Sequence, residues 1–246
     1  MIVFNYSFGA STAVQQVVLE KNSKRLDFVT HCDWHENRRM LRVSFPVQVF
    51  ANEATFDIQY GNIKRPTHNN TSWEVAKFEV VGHRWADRSN DDGGAALLND
   101  CKYGYCHLRN GLDLALLRSP VCPDFTADRG KHDFTYSFLP HQEALSASPV
   151  MMEAAGLNRA VTVVPGRAFN VAAAPVTAEG DLRIEVLKKA EKENALVLRL
   201  VEARGKNSSG KLIFSQKPSR VVETNLMEWT EENIVTNPTP ATILCI

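Results

Sequence analysis

Arg25–Glu36 reads RLDFVTHCDWHE and Asn37–Leu41 continues it as NRRML, and the secondary structure of this stretch decides the fold. As a helix it would set His31 and His35 four residues apart on one face, the spacing that zinc-binding helices use. As a strand it would turn Phe28 and Trp34 to one face and His31, Asp33 and His35 to the other, because side chains alternate. Three such side chains can meet one metal ion. The same row can equally be a polar, solvent-facing surface.

The flanks choose the strand. RLDFVT on one side and MLRVSFPVQVF, Met40–Phe50, on the other are β-branched and aromatic. ENRR between them reads as a hairpin connection, which leaves a helix no room. Similar runs recur as ATFDIQYGNI from Ala54, EVAKFEVVGHRW from Glu74, LDLALLRS from Leu112, KHDFTYSFL from Lys131, ALVLRLVEA from Ala195 and GKLIFSQ from Gly210. Turn-prone clusters separate them: SNDDGG from Ser89, RNG from Arg109, ADRG from Ala127 and GKNSSG from Gly205. LRIEVLKKAE places Leu182, Ile184 and Val186 on one face, and KAEKEN turns the chain into ALVLRLVEA. A two-stranded ribbon with a solvated loop explains that charged centre better than a basic binding face does. Helical periodicity is confined to Glu143–Asn158, where Pro149 is expected to interrupt. No βαβ order occurs, so the expected class is all-β with few short helices.

Composition bounds the partners. Lys plus Arg and Asp plus Glu each number 28, so the formal net charge is zero and neither nucleic acid nor another polyanion is an expected partner. No run approaches the roughly 18 apolar residues of a membrane span, and MIVFNYSFGAS has no basic start before a long apolar stretch. A chain neither secreted nor anchored is expected. Five cysteines without paired spacing fit reduced thiols in the cytoplasm better than a disulfide framework.

Several longer segments are familiar together. RLDFVTHCDWHE, YGNIKRPTHNNTSWEVAKFEV, HRWADRSN, ALLNDCKYGY, LALLRSPVCPD, DRGKHDFTYSFLPH and LKKAEKENALVLRLVEARG occur in this order. As a set, across about Arg25 to Gly205, they resemble the carboxy-terminal β domain of glycoside hydrolase family 38 α-mannosidases, most of all the cytosolic and bacterial branch. The resemblance implies a large antiparallel β super-sandwich of the galactose mutarotase-like kind over residues 1–246, with room for a smaller terminal β subregion from about 160. It also implies that the catalytic zinc and the carboxylate nucleophile belong to an α/β domain, followed by a helical bundle, and that both are absent from this chain. No catalytic residue and no metal ligand are therefore expected here. HCD, His31 to Asp33, falls in the β-domain motif and not in the family's zinc motif.

A retaining glycosidase needs two carboxylates about 5–5.5 Å apart across the scissile bond, and nothing in the sequence singles out such a pair. The chain alone is expected to be inactive, as part of an α-mannosidase that releases terminal α-mannose from oligosaccharides. Its expected partners are the catalytic portion of that enzyme, a mannose-containing oligosaccharide and, for some assemblies, a second copy. Candidate sugar contacts are Asn99, Asp100, Lys102 and Tyr103 at a strand-to-turn transition. Arg118 joins them, since the resemblance places an arginine after the equivalent apolar strand near the substrate. Here Ser-Pro follows in place of a second arginine, and pairing of Arg118 with Asp124 or Asp128 is the competing expectation. Arg65 and His68, with Asn69, Asn70 and Trp73, offer hydrogen-bonding groups and a ring on a loop after Gly61. His132 and His141, nine apart, are expected to pack or hydrogen-bond. Two other classes stay open. A free-standing carbohydrate-binding sandwich would need an exposed platform from among Trp34, Trp73, Trp85 and Trp229, and a structural or oligomerisation module would need a broad uncovered apolar face.

Overall fold

The computed structural model describes residues 1–106, 111–159, 163, 165–166, 174–180, 182–202, 207, 209–229 and 231–235. Two compact units follow one another along the chain, Met1–Thr162 and Val163–Ile246.

The first unit contains β1 (Ile2–Phe8), β2 (Ser11–Leu19), β3 (Leu26–Trp34), β4 (Leu41–Pro46), β5 (Glu53–Ile58) and β6 (Gly61–Pro66), then the single turn α1 (Ser72–Val75). It continues with β7 (Val80–Val81), β8 (Trp85–Asn90), β9 (Gly93–Asn99), β10 (Gly104–Cys106), β11 (Gly111–Leu117), β12 (Gly130–His141) and helix α2 (Val150–Asn158). Eight strands form one antiparallel sheet in the order β1-β2-β3-β12-β9-β8-β5-β6, and four form a second in the order β4-β11-β10-β7. The sheets stack through Ala13, Cys32, Trp34, Phe56, Leu97, Phe134 and Tyr136 from the first and Leu112, Leu114, Leu116 and Tyr105 from the second. Phe45 of β4 sits 4.8 Å from Phe138 and 5.5 Å from Phe28, ring centre to ring centre.

The segment Leu26–Trp34 is a strand, with Thr30, Cys32 and Trp34 buried and His31 exposed between them. Its connection to β4 is not a hairpin, contrary to the reading of ENRR: β4 pairs with β11 in the other sheet. Two local features take the chain across. The Glu36 carboxylate is drawn back to the β1–β2 turn, accepting from Ala10 N at 2.8 Å and Ser11 Oγ at 3.1 Å. Arg38 adopts a φ of 52° and donates its N–H to Ser119 O at 3.0 Å. At the same turn Gly9 has a φ of 61°, and a Cβ there would lie 2.3 Å from Glu36 Oε1, so glycine is required.

Other expectations are corrected in detail. EVAKFEVVGHRW is not one strand: Glu74 and Val75 end α1, where Thr71 and Glu74 form a reciprocal capping box, and strand structure resumes only at Val80 and Trp85. Arg65 belongs to β6 and not to a loop. Pro149 caps α2 at its N-terminus and does not interrupt it. Helix α2 lies on the outer face of β8, β9 and β12, burying Trp85, Ala96, Leu98 and Leu139 beneath Val150 and Ala154. β9 is thus covered on both faces, the condition for a continuous apolar run. Arg25 ties the helix down, donating to Glu153 Oε2 at 2.8 Å and to Asp27 Oδ1 at 2.7 Å.

In the second unit β13 (Val176–Gly180) pairs with β16 (Gly210–Phe214), β14 (Leu182–Lys189) with β15 (Leu196–Glu202), and β17 (Val221–Thr224) with β18 (Glu231–Val235). The expected ribbon around KAEKEN is β14–β15, with a bulge between Ile184 and Val186. Lys188 is not part of a free basic face, since its Nζ bridges Glu191 at 2.9 Å and Glu228 at 2.7 Å. Gly205, Lys206 and Ser208 of GKNSSG, along with Arg109 and Asn110 of RNG and the tail ILCI, lie outside the described residues.

Candidate functional site

One end of the first sandwich gathers the ends of β3, β9 and β11 and the start of β12. β9 stops at Asn99 because its buried side chain takes over the role of a ladder partner. Its Nδ2 donates to His83 O at 2.9 Å and to the Tyr105 hydroxyl, while its Oδ1 accepts from Cys101 N at 3.0 Å and from Lys102 N. From α2, Asn158 Nδ2 reaches Asn99 O at 3.0 Å. The turn 100–103 is therefore fixed from beneath, and Asn99 itself has its hydrogen-bonding capacity spent within the protein. Burial pushes the Tyr105 hydroxyl far up, so it stays a neutral hydrogen-bonding partner.

The turn presents Asp100 and Tyr103 outward, while Lys102 is half-buried. Asp100 is exposed, with its carboxylate accepting Thr135 N at 2.9 Å. Cys101 follows, its thiol pushed up to about 11 by burial and by Asp100. Lys102 holds its ammonium 4.7 Å over the Phe134 ring. Tyr103 is 57% exposed, its ring edge-on to His83 at 5.6 Å. Below, Asp57, buried, receives Arg84 Nε at 2.9 Å and Nη2 at 3.2 Å, which holds the backbone that carries His83.

Arg118 stands at the same end, just after β11, and is exposed. Asp128 does not pair with its guanidinium. The carboxylate accepts instead from the backbone N–H groups of Arg118 at 2.8 Å and Ser119 at 3.0 Å. Burial alone would raise the Asp128 carboxyl, but these donors, with the charges of His132 and Lys102, hold it below the usual range. Asp124 is engaged by Thr126. Among the described residues neither carboxylate neutralises Arg118. Ser119, at a φ of 48°, accepts from the Trp34 indole through its hydroxyl, locking this loop to the end of β3.

Asp100, Lys102, Tyr103 and Arg118 are thus brought to one end, with Asp128 between the Lys102 and Arg118 segments. Arg65 and His68 are not among them. Arg65 pairs with Ala54 at the opposite end of the sheet, its guanidinium 4.7 Å above Phe56 and its Nη1 buried without a hydrogen-bond partner. Burial lowers its pKa. His68 lies 3.4 Å from Glu74, beside the α1 cap. His83, Arg84 and Asp57 escaped the sequence reading, and their contexts, HRW and FDI, carry no ligand-specific spacing; Asp128, a sequence candidate for pairing with Arg118, binds its backbone N–H instead.

The row that opened the sequence is divided among separate partners. His31 Nδ1 meets Asp133 Oδ1 at 2.6 Å, His35 Nε2 meets Asp33 Oδ1 at 2.9 Å, and Glu36 serves the β1–β2 turn. These side chains do not fit a zinc site, and among the described residues no three histidine, cysteine, aspartate or glutamate side chains are grouped to hold a metal.

Comparison with known proteins identifies the lineage. The chain is 40% identical over 230 residues to "Alpha-mannosidase G" of Dictyostelium discoideum, covering 89% of this chain and 21% of that protein. It is 39% identical over 226 residues to "Alpha-mannosidase 2C1" of Homo sapiens, covering 87% of this chain and 21% of the relative. The chain thus spans about a fifth of the length of these curated relatives. The crystal structure of an alpha-mannosidase from Enterococcus faecalis V583 shares the fold at a TM-score of 0.78 and 19% identity, over 94% of this chain and 28% of that one. Residues 181–243 match the "Glycosyl hydrolases family 38 C-terminal beta sandwich domain". Residues 1–126 match the "Glycosyl hydrolases family 38 C-terminal domain", and the chain belongs to that family.

Proposed function

We propose that this chain is the carboxy-terminal β portion of an α-mannosidase, supporting a separate catalytic portion and completing one wall of its sugar pocket. The enzyme removes terminal α-mannose from oligosaccharides in the cytoplasm. The observation that carries the reading is the convergence of Lys102, Tyr103, Asp100 and Arg118, which no carboxylate among the described residues neutralises, on one braced end of the sandwich. Directed donors and a carboxylate on a fixed scaffold suit sugar hydroxyls, which donate and accept in defined directions. Family 38 chemistry calls for a metal that holds substrate hydroxyls, and the resemblance assigns it to the catalytic portion; among the described residues of this chain no three ligand side chains are grouped to hold one. The chain's own contribution is to bind and orient.

The test is kinetic. Catalytic portion and chain are produced separately, combined, and assayed on a chromogenic α-mannoside. Arg118→Ala is expected to raise KM about tenfold, the ~1.4 kcal/mol of one lost charge-assisted contact. Arg65→Ala, at the opposite end, is expected to leave KM unchanged. Equal effects of both variants would remove the assignment of the wall to the Asn99 end.

A second reading rests on Trp73, which is 80% exposed while Trp34 and Trp85 are buried. A free carbohydrate-binding module would use such a ring, and quenching of Trp fluorescence by mannose oligosaccharide, abolished by Trp73→Ala, would favour it.

A further inference from the structure

The two sheets of the first unit have four edges, and three are protected against pairing. β6 carries Lys64, Arg65 and Pro66, β4 carries Arg42 and ends on Pro46, and β7 is two residues long. Charge, proline and brevity are the usual means of blunting an edge. β1, IVFNYSF, has none of them: no charge, no proline, and seven consecutive register pairs with β2 without a bulge. Its outer row of N–H and C=O groups faces away from the sheet. It is also exposed on both faces, with Ile2 at 62%, Val3 at 46%, and Phe4 and Tyr6 each at 43%.

Alternation fixes which face is which. Phe8 packs 5.7 Å from Trp34 in the inter-sheet core, so Tyr6, Phe4 and Ile2 continue that inward face. The four-stranded sheet does not cover them. Among the described residues β1 therefore has neither a neighbour along its edge nor a layer over its inner face. A second copy pairing through β1 would extend the sheet and leave both inner faces bare. A partner satisfying both deficits must bring a strand together with an apolar layer.

We propose that β1 is a β-augmentation seam for an extended, alternating apolar strand carried by the remaining part of an α-mannosidase polypeptide. In the curated relatives about four-fifths of the length lies outside the matched region, ample chain for such a strand and its covering layer. The inference rests on the proposed function and names the surface through which it works. Main-chain hydrogen bonds would supply affinity, and Ile2, Phe4 and Tyr6 the selectivity.

The experiment mixes the full chain with the separately produced remainder of the Dictyostelium α-mannosidase G polypeptide. Complex formation is measured by sedimentation, and amide hydrogen exchange along β1 by mass spectrometry. Exchange at residues 2–8 is expected to slow at least tenfold in the complex, and the F4K/Y6K variant to weaken association at least tenfold. The variant's own fold is checked by the fluorescence of buried Trp34 and Trp85. A complex with restored mannoside hydrolysis but unchanged β1 exchange and full F4K/Y6K binding overturns the seam alone. Absence of any complex overturns the seam and the proposed function together. Self-association of the chain, lost in F4K/Y6K, overturns the choice of occupant.

Discussion

Strand β12 takes part in a histidine–aspartate pair near each end, and the two differ in everything but chemistry. Near its start Asp133 meets His31 at 2.6 Å with both side chains more than half exposed. At its last residue His141 meets Asp87 at 2.7 Å with side chains 0% and 1% exposed. The buried imidazole has an acceptor at each nitrogen, Asp87 Oδ2 at Nε2 and Glu143 O at Nδ1, and Ser89 Oγ donates to the other Asp87 oxygen. With the Asp87 carboxyl as acceptor, the two contacts favour an N–H on each ring nitrogen, the charged form of His141. Burial opposes that charge, but Asp87 and Glu143 outweigh it and raise the His141 pKa. The sequence advertises His31 within a dense polar cluster, whereas His141 stands alone after LP and bears the structural role.

Breaking the buried pair should have the largest effect. Asp87→Ala leaves a charged imidazole without its counter-ion and is expected to cost about 3–5 kcal/mol in urea unfolding. A change below about 1 kcal/mol would erase the contrast between the two ends. The pH dependence sharpens it. With the folded-state pKa above the unfolded value near 6.5, the pair's contribution is complete below that value and is lost as pH rises through the folded pKa. The urea midpoint should fall on the alkaline side in the native chain, and Asp87→Ala should flatten this slope.

Asn99→Ala comes next, at about 1–3 kcal/mol, because it takes the acceptor from the Cys101 and Lys102 N–H groups and leaves the buried Tyr105 hydroxyl with its bond to His83 O alone of the two described. Faster amide exchange at Cys101 and Lys102 would show that the loss is local. Smallest is His31→Ala, expected below about 1 kcal/mol, since an exposed pair gains little over its hydration.

How much the sequence discloses varies with burial. β3 and β12 are legible because each puts one face in the core, so Phe28, Cys32 and Trp34 alternate with polar neighbours. β1 is not legible, since with both faces exposed its residues have no inside to mark. At the start of EVAKFEVVGHRW the β-rich composition is overridden by the Thr71–Glu74 cap, a four-residue signal that begins before it. At the candidate site, the turn after Asn99 is readable from LLNDCKYG, whereas Arg118 is singled out only by the family resemblance. The bracing of these residues by His83, Arg84, Asp57 and Asp128 is not, because those contacts span 10 to 27 residues and join different strands.

The most direct measurement is hydrolysis of a chromogenic α-mannoside by this chain alone, with and without added zinc. No turnover is expected in either condition, and turnover is expected once the catalytic portion is added. Zinc-dependent hydrolysis by the isolated chain, lost in a His31→Ala, His35→Ala variant, would contradict it and return the chemistry to the HCDWHE row.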